Sequence, residues 1–79
     1  MTVKEALQMI VDDCNCPALN YAVNYAKAGL LMDDDSEELR VQCLHVQNNI
    51  SSWRAGSTSK FTKEQIKECR DTIKKGGKR

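Results

Sequence analysis

The side chains best suited to chemistry in this 79-residue chain are four cysteines, Cys14, Cys16, Cys43 and Cys69, and one histidine, His45. Together they suggest a zinc site, but structural zinc is usually held by cysteine pairs two to four residues apart. Only Cys14 and Cys16 are close, with a single residue between them. Cys43 and His45 are two apart, and on a helix that spacing turns them to different sides. Cys14, Cys43 and Cys69 each fall on an apolar stripe, so buried free thiols acting as small hydrophobes account for them without a metal. A Cys–His dyad needs both groups in hydrogen-bond reach. With one His and no Gly-rich turn, no acid–base or phosphate-cradling constellation can be assembled. The expectation is a non-enzymatic chain with no catalytic residue, no metal ligand and no cofactor, and with His45 at the surface or the core boundary.

Residues suited to binding are more numerous. Tyr21, Asn24 and Tyr25 sit in a stretch, Pro17 to Met32, whose one charge is Lys27. Tyr21 and Tyr25 are one helical turn apart, and Trp53 is the only tryptophan. Tyr and Trp are enriched as interface anchors, so Tyr21, Asn24, Tyr25 and Trp53 form one candidate set for a protein partner or for self-association. The ordinary alternative places the aromatics at the edge of the core. A second set comes from the charge. The net charge of +1 hides a split. Residues 1–53 carry three basic against eight acidic side chains, a net of −5, and residues 54–79 carry nine against three, a net of +6. Such a split marks a surface for an anionic partner, or else two ends that neutralise each other within the fold.

Apolar periodicity supplies the elements that must position these residues. Val3, Leu7, Ile10 and Cys14 recur 4, 3 and 4 apart after Thr2 and Glu5, which form a capping box. Pro17 opens a second helix running to about Met32, with Gly29 either inside it or at its end. Asp35, with Glu38 three residues on, resembles an N-cap for the third helix; the Asp33–Glu38 run lacks the central Gly of a calcium loop. Leu39, Cys43, Val46, Ile50 and Trp53 recur 4, 3, 4 and 3 apart, which predicts one long helix over roughly 36–55 closed by Gly56 in a left-handed cap. Ser57–Ser59 is a polar connection. Thr62 and Gln65 box the start of a fourth helix, whose seam is Ile66, Cys69 and Ile73. The fold class is all-α: a small bundle of about four helices in a single domain, residues 1–75, with 76–79 as a frayed basic tail. Leu7, Ile10, Leu19, Val23, Ala26, Leu39, Cys43, Val46, Ile50 and Ile66 should form its core.

The stretch Asn48 to Gly56, NNISSWRAG, resembles the end of the recognition helix in phage-repressor-type helix-turn-helix proteins. That resemblance implies contacts to nucleic acid from Gln47, Asn48, Asn49, Ser51 and Arg54, joined by Lys63, Lys67, Arg70 and Lys74 of the basic helix. It departs from the pattern at the turn, where the expected Gly is absent. The chain as a whole is also similar to short helical accessory proteins of phages and prophages, which implies a regulator or inhibitor that binds a host protein. The leading expectation is therefore a protein-binding module, with DNA binding as the alternative. The N-terminus lacks the basic start and small-residue site of a signal peptide, and no apolar run approaches a membrane span, so a cytoplasmic protein without membrane contact is expected.

Overall fold

The structure is a computed structural model and describes residues 1–56 and 58–78. Four α-helices form the architecture: α1 (Val3–Asp12), α2 (Ala22–Leu30), α3 (Glu37–Asn48) and α4 (Lys63–Gly76), with a 3-10 turn at Pro17–Leu19 before α2. α2 packs on α1 and α3, and α4 closes the arrangement by packing on the same two helices. All ten residues expected in the core are buried, and Ala6, Cys16, Ala22, Trp53, Cys69 and Ile73 join them.

The helix starts follow their capping residues. Thr2 Oγ1 accepts from the Glu5 N–H while the Glu5 carboxylate accepts from the Thr2 N–H. Thr62 and Gln65 repeat the arrangement at α4. At α3 the cap is Ser36, not Asp35: the Ser36 hydroxyl accepts from the Leu39 N–H at 3.1 Å. Asp35 lies at φ 63°, in the left-handed region that Asp enters more readily than most residues. It turns the chain, and the serine one place later meets the helix.

Several boundaries differ from the sequence expectation. The helix expected over 36–55 stops at Asn48. There the Asn49 side chain donates to the His45 carbonyl at 2.7 Å and satisfies one of the carbonyls a helix end leaves open. Ile50 and Trp53 still reach the core, because a turn with Trp53 N–H bonded to Ile50 O (3.1 Å) keeps their i, i+3 spacing. The second helix is divided, since residues 20 and 21 separate the Pro17–Leu19 turn from α2. Gly56 is not a left-handed cap, as no described glycine has positive φ. Ser57 lies outside the described residues, as does Arg79.

The tail is not frayed over Gly76, Gly77 and Lys78. Gly76 completes α4, Gly77 is buried, and its carbonyl accepts from Arg40 at 3.3 Å. A Cβ on Gly76 would lie 2.8 Å from Val3 Cγ2 and 3.0 Å from Cys43 Sγ, so the missing side chain lets α4 settle against α1 and α3.

Gly29 performs the same service inside α2. A Cβ there would lie 2.8 Å from Leu7 Cδ1 and 3.3 Å from Leu39 Cδ1, both on buried side chains. Gly29→Ala gains up to about 1 kcal/mol of helix propensity. Overpacking costs roughly 1–3 kcal/mol. The expected net result is a loss of stability in denaturant melts; a more stable variant would show that the α1–α2–α3 junction has room to spare.

Candidate functional site

The site is built around Asp13, one residue past α1 and 3% exposed. Its carboxylate accepts from Trp53 Nε1 at 2.8 Å, from Ser59 Oγ at 2.6 Å and from the Lys60 N–H at 3.1 Å. Burial alone would push its pKa up. The hydrogen bonds from Ser59, the Lys60 N–H and Trp53, aided by the Lys60 charge, outweigh burial and hold it below the ordinary carboxylate value. Asp13 therefore ties the segment between α3 and α4 to the end of α1. Trp53 is fully buried, with the Phe61 ring edge-on at 6.4 Å.

With Trp53 fixed, the turn after α3 and the exposed side of α4 enclose a groove of about 670 Å³. Arg54, Lys63, Lys67, Arg70 and Lys74 line it, together with Ser51 and one carboxylate, Asp71. The buried Ile50, Trp53 and Ile66 form its floor. Asp71 is taken by Lys67 at 3.1 Å. Among the described residues no carboxylate pairs with Arg54, Lys63, Arg70 or Lys74. Arg54 donates to the Ser51 and Trp53 carbonyls, which holds its guanidinium at the groove's edge.

Some of the other charges are matched within the fold. Lys4 lies 3.8 Å from Asp34 and donates to the Leu30 and Met32 carbonyls. Arg40 pairs with Glu37. Lys75 and Lys78 share a cleft with Asp35 and Glu37. Part of the −5 and +6 split is thus met internally, and Arg54, Lys63, Arg70 and Lys74 of the groove are among the basic side chains without an ion pair.

The structure gathers Gln47, Ser51, Arg54, Lys63, Lys67, Arg70 and Lys74 of the nucleic-acid set and leaves out Asn48 and Asn49. Residues 47–54 do not form one helix, so the recognition-helix geometry implied by NNISSWRAG is absent, and the Asn49 amide is spent on the helix end. Of the protein-interface set, Trp53 is corrected to a core residue, since its indole N–H finds Asp13. Tyr21 is 74% exposed and Asn24 is exposed. Tyr25 is half-buried and stacks on the exposed His45, ring centroids 4.7 Å apart.

The cysteines are all free thiols. Cys14 is exposed, contrary to its place on the α1 stripe, because the helix ends at Asp12; Cys16 is buried instead and lies 3.7 Å from the Thr58 hydroxyl. Cys69 donates to the Ala6 carbonyl at 3.2 Å, and burial pushes its pKa up to about 12. Burial also raises that of Cys43. Such thiols are poor nucleophiles at neutral pH. Among the described residues no three of His, Cys, Asp and Glu are placed to hold a metal ion. No helix among them is long and apolar enough to cross a membrane.

Sequence reasoning missed Asp13. The available signal was that a lone tryptophan on a core stripe needs a partner for its N–H. Nothing in the sequence said which of several acidic residues would supply it. Comparison with family models, with curated proteins and with solved structures finds no match.

Proposed function

We propose that the protein is a binding module that holds the phosphate backbone of nucleic acid in the groove between α4 and the turn after α3. The observation that carries this reading is the gathering of five basic side chains around one cavity with a single carboxylate among them. Lys and Arg in such a cluster neutralise phosphates and release their counterions. The test is fluorescence anisotropy with a labelled DNA duplex across a salt series. Affinity should fall steeply with salt. Replacing Lys63, Arg70 and Lys74 together with Gln should flatten the log–log salt slope by about 0.9 per lost contact. Binding that is absent, or that ignores both salt and the triple substitution, would sink the proposal.

A protein target is the second reading. Its support is Tyr21, 74% exposed beside the exposed Asn24 and the Tyr25–His45 stack. Self-association through this face belongs to the same reading. The similarity to phage accessory proteins suits either surface and adds no residue to it. The two surfaces separate experimentally, because Tyr21→Ala leaves every groove side chain in place.

A further inference from the structure

We infer that the groove's ligand is a nucleic-acid duplex gripped by its backbone without regard to sequence, rather than a single strand held by its bases. The inference rests on the proposed function and goes on to specify the form of the ligand. Three observations carry it.

The first is the shape of the cationic surface. Lys63, Lys67, Arg70 and Lys74 recur 4, 3 and 4 apart on one helix, which places them in a single stripe. Eleven steps at 1.5 Å each from Lys63 to Lys74 make that stripe roughly 16 Å long. It is held stiff: α4 is tied to α1 through Cys69 and Ala6, and Ile66, Cys69 and Ile73 are buried beneath it. A straight, rigid row of cations suits a stiff ligand whose charges are already in place. A flexible single strand would have to be ordered on it at a cost in entropy.

The second concerns stacking. Proteins that hold single strands combine a basic groove with aromatic faces on which bases stack. The aromatic side chain lining this groove is Trp53, which is fully buried and donates its N–H to Asp13. Nearby Phe61 is half-buried and meets Trp53 edge-on. Trp53 is too buried to offer a ring face to a base, and Phe61 does not line the groove.

The third concerns sequence reading. Base edges are read best by Asn, Gln and Arg in bidentate geometry. Of the groove side chains of these types, Arg54 is committed to the Ser51 and Trp53 carbonyls, and Gln47 and Arg70 are half-buried; Asn48 and Asn49 lie outside the groove, the Asn49 amide on the His45 carbonyl. The α4 stripe is three lysines and one arginine, and lysine meets phosphate as a point charge.

The experiment compares four probes at one salt concentration with the full chain: a duplex of about 20 base pairs, a duplex of scrambled sequence, each separated strand, and poly-glutamate as a competitor. The two duplexes should bind within about twofold of each other, and the separated strands should bind at least tenfold more weakly. Strands that bind as well as the duplex overturn this inference and leave the proposed function standing. So does a preference beyond about tenfold for one duplex sequence, the scale of a lost base contact. Failure of every nucleic-acid probe, or displacement of duplex by poly-glutamate of equal charge, overturns both.

Discussion

Trp53→Ala should remove about 3–5 kcal/mol of stability, the range for truncating a fully buried aromatic side chain. A domain of this size has roughly 4–12 kcal/mol in total, so the variant should lose a large share of its stability. Trp53 is 0% exposed, and truncation both opens a cavity against Phe61 and strips Asp13 of its tryptophan donor. Trp53→Phe separates the two effects. It keeps most of the apolar volume and loses the N–H, so it should cost roughly 1–3 kcal/mol, the scale of an unmet buried polar group. Urea melts followed by helical circular dichroism decide the matter. A Trp53→Ala loss below about 1 kcal/mol would mean that Trp53 does not sit in the core.

Asp13→Ala should be the most damaging change of a charged residue, at about 2–4 kcal/mol near neutral pH. It leaves the buried Trp53 N–H without a partner and takes the carboxylate from Ser59 and the Lys60 N–H. Asp13→Asn keeps an acceptor oxygen and should cost less. The charge also predicts a pH dependence. The folded pKa of Asp13 lies below its ordinary value of 3.8, so the unfolded state takes up a proton first as pH falls. The stabilisation is complete above that ordinary value and is lost as pH drops toward the folded pKa. Melts of the parent protein at pH 7 and pH 3 should therefore differ by more than those of Asp13→Asn. Equal acid sensitivity in the two proteins would remove Asp13 from the account.

The core was legible because each helix buries one stripe, and the 3.6-residue period reports that stripe directly. The same signal misplaced the end of α3. Ile50 and Trp53 keep helical spacing across a turn bonded from Trp53 N–H to Ile50 O, and periodicity does not distinguish that turn from a helix. What ends the helix is a side-chain bond from Asn49 and a carboxylate 40 residues away in sequence. The first is local but does not interrupt the apolar period, and the second leaves no trace in local pattern. The site was legible in the same uneven way. Lys63, Lys67, Arg70 and Lys74 could be read as one stripe, since they share a helix. Their meeting with Ser51 and Arg54 depends on the turn, and the turn depends on Asp13. The seating of Gly76 and Gly77 was illegible because glycine at a chain end reads as fraying, whereas here its smallness admits Val3, Cys43 and Leu44.

The closed order of contacts, α1 to α2 to α3 to α4 and back to α1, has a consequence for the path of folding. Three of the joins link neighbours in sequence, and the fourth joins segments such as Ala6 and Cys69, 63 residues apart. If that join formed first, closing so long a loop would cost on the order of 3–4 kcal/mol in chain entropy. The favoured route forms the three local joins first and closes the seam between α1 and α4 last, and unfolding in native conditions should begin by opening that seam. One side of that seam is α4, the helix that carries Lys63, Lys67, Arg70 and Lys74. A ligand spanning these and Arg54 would fasten α4 to the body of the protein, and amide exchange along α4 should slow more than exchange along α2 when the groove is filled.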